Sequence, residues 1–320
     1  MELEIVILLL NKGSLSIVIK FALLFYLLII TASSLALEAN KKAHISVQIL
    51  GSGGPELTAN RASSSYLVWL NNKAIILIDT GGGSSFRYGQ SGAKWQDLQA
   101  VLFTHFHADH SSDFPAFIKA SWFGDRTKDL DVFGPYGNSF MPSTKAFLDS
   151  LFGIKNGAFQ YLSDMYDDKQ SNEYKLIPHV LKDTKKLQNL IATDDFTIQA
   201  IQVQHGPIPA FAYVITLCGK TVVFSGDTNG KGFENLDLAK TDLFIAHNAI
   251  PENAGEIAQS LHMRPSQIGK IAKNIGTDKL ILSHRMNRTL GNEQQTIKEI
   301  RKNYNSTLFF ANDLAVFTVQ

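Results

Sequence analysis

The stretch Thr104-His-Phe-His-Ala-Asp-His110 carries three histidines and one aspartate within six residues, directly after the apolar residues 100–103. Burying so many imidazole and carboxylate groups costs free energy unless a ligand satisfies them. Neutral imidazole and carboxylate are groups that bind Zn²⁺ and similar divalent cations. The first two histidines are two residues apart, so on an extended segment their side chains point the same way, whereas the aspartate and the last histidine lie beyond a turn. The stretch therefore predicts ligands for two metal ions.

Four more histidine or aspartate residues follow apolar runs elsewhere in the chain. They are Asp79, His205, Asp227 and His284, each placed at or just after the end of a predicted strand. Because ligands gather where strands end at the edge of a sheet, these residues fit one site together with the first motif. A solvated histidine-rich loop would not explain why each of the four ends a strand.

The motif and the order of these residues resemble the signature of the metallo-β-lactamase superfamily, over nearly all of residues 44–320. The resemblance implies an α/β fold, a four-layer αβ/βα sandwich with the metals at one edge of its two sheets. It implies two divalent metal ions bridged by Asp227, with zinc expected and iron or manganese also suited to such ligands. Asp79 would support the site without binding metal. The implied metal ligands are His105, His107, Asp109, His110, His205, Asp227 and His284.

Within the superfamily, the chain is similar to the branch that holds ribonuclease Z and its arylsulfatase-like and phosphodiesterase relatives. The landmarks of this similarity are Gly51-Ser-Gly-Gly-Pro55, Arg61-Ala-Ser-Ser64, Asp79-Thr-Gly-Gly-Gly83 and His205-Gly-Pro-Ile-Pro209. Ser260-Leu-His262 lies where that branch has a proton-relay histidine. His262 is therefore the expected general acid and His247 the second candidate, and Asp109 is counted with the catalytic groups as well as with the ligands.

Three features separate the chain from ribonuclease Z. Asn248 occupies the position of a glutamate in that family's motif, and a neutral amide can orient a histidine but cannot stabilise an imidazolium ion. The sequence shows no Gly- and Pro-rich basic arm of the kind that ribonuclease Z uses to hold tRNA. An exported protein would not meet precursor tRNA. Arg285 and Arg288, just beyond His284, are candidate contacts for a small anionic substrate, with a solvated loop as the alternative.

The sequence therefore predicts an exported metal-dependent hydrolase in which a metal-bridging hydroxide attacks a small phosphodiester or sulfate ester. Three alternatives stay open: a ribonuclease Z-like tRNA 3′-processing endonuclease, a lactone or amide hydrolase, and a non-catalytic binding scaffold. The complete ligand set argues against the scaffold.

Composition limits the class of protein. The chain has 320 residues, of which 45% are hydrophobic and 18% charged, and its formal net charge is +1. This composition is typical of a globular protein rather than a disordered one. The balanced charge disfavours nucleic acid as a partner. The single cysteine excludes an intramolecular disulfide, and a homodimer stays open as the assembly.

Residues 1–39 differ from the rest of the chain. Lys12 and Lys20 precede the apolar run 21–32, whose length is typical of a signal-peptide core and short for a membrane span. Ser34-Leu-Ala36 supplies small residues for cleavage. We expect export to the periplasm or secretion, with a retained N-terminal membrane anchor as the alternative. Residues 40–320 are expected to form a single hydrolase domain.

Short strands alternate with helices in this domain. The turn dipeptide Asn71-Asn72 joins two predicted strands into a hairpin, and residues 156–186 are interpreted as a surface insertion. The predicted strands are residues 44–50, 65–70, 74–78, 100–103, 196–203, 212–217, 221–224, 243–246, 280–282 and 314–319. The predicted helices are residues 144–152, 265–275 and 293–303.

Overall fold

The computed structural model describes residues 43–58, 60–166 and 174–319. From His44 onward the chain forms one compact unit. The signal peptide or anchor predicted over residues 1–39 lies outside the described residues. Among the residues that are described, no helix has both the length and the apolar character needed to cross a membrane.

Two sheets of seven strands each make up the centre of the described chain. The strands are β1 (Ile45–Gly51), β2 (Ser65–Leu70), β3 (Lys73–Ile78), β4 (Ala100–Leu102), β5 (Leu130–Gly134), β6 (Leu176–Val180), β7 (Gln188–Ala192), β8 (Phe196–His205), β9 (Ile208–Leu217), β10 (Lys220–Phe224), β11 (Thr241–His247), β12 (Thr277–Ser283), β13 (Thr307–Phe310) and β14 (Val316–Val319). The first sheet has the order β14-β1-β2-β3-β4-β5-β6 and the second the order β13-β12-β11-β10-β9-β8-β7.

Seven α-helices lie between these strands along the described chain. They are α1 (Ser84–Ser91), α2 (Ala108–Ser111), α3 (Phe114–Ser121), α4 (Thr144–Phe152), α5 (Glu256–Leu261), α6 (Pro265–Asn274) and α7 (Glu293–Arg301). Short 3₁₀ turns cover Trp95–Asp97, Gln160–Met165 and Phe233–Asn235.

Each sheet packs one face against helices and the other against the partner sheet. Phe117 of α3 and Leu148 of α4 belong to the apolar cluster of the first sheet. Ile268 of α6 belongs to the cluster of the second sheet. Between the sheets, the rings of Tyr66 and Phe224 lie 5.6 Å apart. The layers therefore run helix, sheet, sheet, helix, which confirms the predicted four-layer αβ/βα sandwich.

The direction of the strands places most of the predicted site residues at one edge of the two sheets. Strands β3 to β6 run parallel in the first sheet, and β10 to β13 run parallel in the second. β8 pairs antiparallel with β9, which pairs antiparallel with β10, so β8 and β10 end at the same edge. The carboxyl ends of β3, β4, β8, β10, β11 and β12 carry the predicted site residues.

All predicted strands and helices are present, whereas strands β5, β6, β7 and β13 and helices α1, α2, α3 and α5 were not predicted. The hairpin turn at Asn71-Asn72 forms with φ of 50° and 64°, the left-handed conformation that suits a two-residue hairpin. The predicted surface insertion over residues 156–186 was wrong in part, because its last portion forms β6, an edge strand of the first sheet.

Candidate metal centre

An aromatic contact made by Phe106 fixes the orientation of the histidine-rich motif. Phe106 points into the core, where its ring stacks on Phe147 of α4 at 4.3 Å. Because side chains alternate along an extended segment, His105 and His107 then face the other way. His107 has extended backbone angles and directly precedes α2, which carries Asp109 and His110.

Three imidazole nitrogens converge in the first ligand group. Nδ1 of His107 lies 3.0 Å from Nε2 of His105 and 3.3 Å from Nε2 of His205. His205 donates from Nδ1 to the carbonyl of Leu261 at 2.8 Å, which leaves the Nε2 lone pair facing the group. Asp227 completes the set, since Oδ2 lies 3.7 Å from Nε2 of His205. Tetrahedral zinc with ligands at about 2.0–2.1 Å separates them by roughly 3.3 Å, so the spacing fits such an ion.

The second ligand group lies on the other side of Asp227. Nε2 of His284 is 3.3 Å from Oδ1 of Asp227 and 3.1 Å from Oδ2 of Asp109. Nε2 of His110 is 3.6 Å from the same oxygen of Asp109 and 3.8 Å from Oδ2 of Asp227. Nε2 of His110 is buried without a hydrogen-bond partner in the described residues. A buried nitrogen aimed at two carboxylates fits a cation between them.

Asp227 is the group that both sets share. Its carboxylate lies within 4.8 Å of the ligand atoms of His105, His107 and His205 on one side and of His110, His247 and His284 on the other. Burial alone would raise the pKa of Asp227, but the surrounding imidazoles, led by His284, hold that pKa well below its usual value. The carboxylate is therefore anionic and suited to bridging two cations.

His247 is also within ligand distance of the second group, but both of its ring nitrogens are occupied. Nδ1 donates to Oδ1 of Asp227 at 2.7 Å, and Nε2 lies 2.9 Å from the hydroxyl of Tyr66. Burial lowers the pKa of His247 to about 4, so the ring is neutral. We therefore place His247 behind Asp227 as an orienting group, which corrects its prediction as a candidate general acid, and assign the ligand position to Asp109.

Asp79 contacts the second ligand group through a hydrogen bond to His110. Oδ2 of Asp79 accepts from Nδ1 of His110 at 2.7 Å, while Oδ1 accepts from the backbone N–H of Thr104 at 2.7 Å. This contact fixes the tautomer of His110, so that Nε2 faces the metal position. Although burial lowers the pKa of His110, Asp109 and Asp79 together raise it to about 10. A bound cation would take the place of that proton.

The turn after β12 holds His284 in an uncommon backbone conformation. Its φ is 52°, a region that costs free energy for a residue with a side chain. The turn after β1 passes directly beside its ring: a Cβ atom on Gly54 would lie 2.7 Å from Cε1 of His284. Only glycine fits at this close approach without moving the ligand.

His262 lies at the rim of the centre. Its Nδ1 is 3.7 Å from Oδ2 of Asp227 and has no hydrogen-bond partner in the described residues. Burial lowers the pKa of His262 to about 3, so the ring is neutral and can donate only a hydrogen bond. Asn248 was expected to orient this ring, but both atoms of its buried amide lack a partner among the described residues, and no hydrogen bond joins it to His262.

Arg285 does not face the centre, contrary to its prediction as a substrate contact. Its guanidinium is 4% exposed, donates to Glu293 and the carbonyl of Thr289, and lies 4.6 Å from the ring of Phe310. The neighbouring Arg288 has the exposed position instead.

Sequence reasoning missed Tyr66, whereas it named Arg288 beside Arg285 as a candidate substrate contact. Tyr66 reads as an ordinary apolar residue of β2, and only the pairing of the two sheets brings its hydroxyl to His247. Arg288 is exposed and donates from Nε to the carbonyl of Ala249 at 2.7 Å. It lies near enough to lower the pKa of His262. Arg288 was a candidate because it follows His284 closely in the chain, whereas nothing local marked Tyr66.

Known proteins resemble the chain in sequence. The family profile described as "Metallo-beta-lactamase superfamily" matches residues 59–284. A ribonuclease Z of Methanosarcina mazei is 23% identical over 300 residues, which cover 83% of this chain and 95% of the relative. A ribonuclease Z of a Mycobacterium species is 26% identical over 254 residues, which cover 75% of this chain and 84% of the relative.

Solved structures share the fold. The metallo-beta-lactamase fold protein YhfI from Bacillus subtilis has a TM-score of 0.66 and 23% identity, covering 87% of this chain and all of its own. The short form of human tRNase Z has a TM-score of 0.65 and 19% identity, covering 86% of this chain and 99% of its own. At these identities the likeness shows a common architecture.

Proposed function

Because the chain belongs to the metallo-beta-lactamase superfamily of metal-dependent hydrolases, we propose that it is a two-metal phosphodiester hydrolase that cleaves RNA as a ribonuclease Z does. The observation that carries the proposal is the pair of ligand groups that share Asp227. The relatives support the choice of substrate, since the two ribonucleases Z named above match this chain over 95% and 84% of their own lengths. This is the alternative left open by the sequence rather than its main prediction of a small ester.

Each metal position has its own holding residues. His105, His107 and His205 would hold one ion, Asp109, His110 and His284 the other, and Asp227 both. When bound, a pair of divalent cations supplies an activated water and stabilises negative charge on a phosphoryl oxygen.

The chain itself fixes orientation and charge at the centre. Leu261 and Asp79 set the tautomers of His205 and His110, so their Nε2 lone pairs point inward without reorganisation. His247 holds one oxygen of Asp227 through Nδ1. A preorganised site of this kind lowers the free-energy barrier because its dipoles are aligned before substrate arrives.

Two rim residues would meet the substrate. His262 offers an imidazole N–H to the leaving oxygen, and Arg288 offers guanidinium N–H groups to phosphate oxygens. Arg288 has no ion pair among the described residues, so its charge is free for an anion.

A second candidate, hydrolysis of a small phosphodiester or sulfate ester, is favoured by one observation. Asn248 is neutral and buried without a hydrogen bond in the described structure, so no carboxylate at that position assists His262. Substrates with good leaving groups need little help from a general acid, which suits such a site.

The test compares substrates on one preparation of the full chain supplied with Zn²⁺ or Mn²⁺. A precursor tRNA with a 3′ trailer, the same tRNA without the trailer, bis-p-nitrophenyl phosphate and p-nitrophenyl sulfate are assayed together. We expect metal-dependent cleavage of the precursor and of the phosphodiester, lost in His107→Ala. Cleavage of the small esters with an intact precursor would favour the second candidate, and no hydrolysis of either diester would overturn the proposal.

A further inference from the structure

A polar groove of about 600 Å³ opens beside the metal centre. It begins at Gly206 and Pro207, which directly follow the ligand His205. Asn138 donates to the carbonyl of Pro207 at 2.8 Å and so ties the loop after β5 to this turn. The groove therefore adjoins the turn that directly follows the ligand His205.

The floor and one wall of the groove are prearranged by hydrogen bonds. Gln202 of β8 donates from Nε2 to the hydroxyl of Tyr136 at 2.6 Å and to Oδ1 of Asp183 at 3.0 Å. The ring of Tyr136 packs edge-on against Phe211, with centroids 6.2 Å apart. These contacts present an aromatic ring and side-chain amides, which are groups that stack on or hydrogen-bond to nucleobases.

The surroundings of the groove carry more lysines than acidic residues, although the lining alone is balanced, with Lys185 and Lys231 against Asp183 and Glu234. Lys185 and Lys231 line it, and neither has an ion pair in the described part of the chain. Its two acidic residues are already engaged: Asp183 accepts from Gln202, and Glu234 accepts from the backbone N–H of Gly232 at 2.7 Å. The connection from β6 to β7 adds two further exposed lysines, Lys182 and Lys186, beside the groove.

We infer that this groove binds the single-stranded RNA chain next to the cleaved bond, with Lys185 and Lys231 on its phosphates and Tyr136 against a base. The inference rests on the proposed function and adds a subsite to it. A polynucleotide that follows the groove would bring its phosphates to these lysines, whereas a small ester would be held by the metal centre and its rim residues. An acidic peptide would use the lysines but would have no need of the ring and amides.

The test uses the double variant K185A/K231A of the full chain. We expect its Kd for a single-stranded RNA oligonucleotide, measured by fluorescence anisotropy, to rise about tenfold. The slope of log Kd against log salt concentration should decrease by about 1.4, since each phosphate contact on a single strand contributes about 0.7 to that slope. The rate with bis-p-nitrophenyl phosphate should stay unchanged.

The matched control is K270A/K298A, which removes two exposed lysines from α6 and α7. It should leave RNA binding as in the wild type. Equal weakening in both double variants would mean a general effect of charge and would overturn the groove. If the wild type cleaves precursor RNA but K185A/K231A binds it normally, the inference about the groove is wrong and the proposed function stands. If the wild type neither binds nor cleaves RNA, the proposed function fails with it.

Discussion

Tyr66 holds the ring of His247 in one orientation. A neutral His247 that donates from Nδ1 to Asp227 has only a lone pair at Nε2, so we orient the single Tyr66 proton toward it rather than toward the Ser283 hydroxyl, which is also 2.9 Å away. Without that donor, the proton of the ring can move to Nε2, and Asp227 loses a hydrogen bond. Partners one step behind the metal ligands commonly change metal affinity by about 10–100-fold.

We therefore expect Tyr66→Phe to weaken metal binding about tenfold or more while the fold is retained. Chelator competition on the purified variant measures the affinity. Tyr213→Phe is the control, because Tyr213 is another fully buried tyrosine, whose hydroxyl donates to the backbone carbonyl of Phe103 rather than to a site residue. Equal losses of affinity in the two variants would show that removing any buried hydroxyl weakens metal binding, and that the contact with His247 has no special role.

His262 is the side chain placed to assist a leaving oxygen. We expect His262→Ala to slow hydrolysis of an RNA phosphodiester by about 10²-fold, because a departing ribose oxygen loses the hydrogen bond that stabilises its growing negative charge. Hydrolysis of bis-p-nitrophenyl phosphate should slow far less, since nitrophenolate leaves unassisted. His179→Ala is the control, as His179 pairs with Asp131 on the surface. Similar losses on both substrates would rule out His262 as the donor.

At the scale of elements, the turn after β1 sets the position of a ligand in the turn after β12. A Cβ atom on Gly54 would meet both Cε1 and Nδ1 of His284, at 2.7 and 3.0 Å. We expect Gly54→Ala to displace that ring from Asp109, so that the variant binds one metal ion where the wild type binds two. Metal stoichiometry by elemental analysis measures this.

Gly89→Ala supplies the comparison for that experiment. Gly89 lies in α1, and a Cβ atom there has no heavy atom within 4 Å. The variant should keep both ions and gain about 0.5–1 kcal/mol in free energy of unfolding, because alanine favours a helix interior over glycine. Two bound ions in Gly54→Ala would show that the turn yields to the added methyl group.

The elements that sequence reasoning found are those with strong local signals. Strands β2 and β3 join through Asn71-Asn72, and α4 was predicted with its observed bounds. The edge strands β6 and β7 were missed because their residues are mostly half-buried or exposed and carry little apolar alternation. The motif at His105 could be found because four metal-binding side chains lie within six residues of the sequence. The hydroxyl of Tyr66 could not, since its role exists only once two sheets have packed together.

At the scale of the molecule, the metal centre joins the two sheets. His105 and His110 follow β4 of the first sheet, whereas His205, Asp227 and His284 follow strands of the second. Ions that bind only the folded chain add RT ln(1 + [L]/Kd) to its stability, about 2.7 kcal/mol at a hundredfold excess over Kd. Chelation should therefore lower the melting temperature by roughly 5–10 °C for a domain of this size.

Calorimetry with and without a chelator measures that shift. Asp227→Asn should melt at the same temperature in both conditions, since it lacks the charge that both ions share. A wild-type melting temperature that does not respond to chelation would mean that the ions do not tie the sheets together.

Whether the N-terminal sequence directs export bears on which substrates the protein meets. Residues 21–32 form an apolar run of signal-peptide length, followed by small residues at Ser34 and Ala36. If residues 1–36 act as the signal peptide that the sequence alone predicts, an expressing bacterial host exports the chain and leaves a mature protein that begins at residue 37. Cell fractionation and N-terminal sequencing measure this, and replacing Leu27 and Leu28 by arginine should stop export because a charged core is not recognised as a signal. Mature protein found outside the cytoplasm would favour a small ester over precursor tRNA, whereas full-length protein in the cytoplasm would favour the ribonuclease reading.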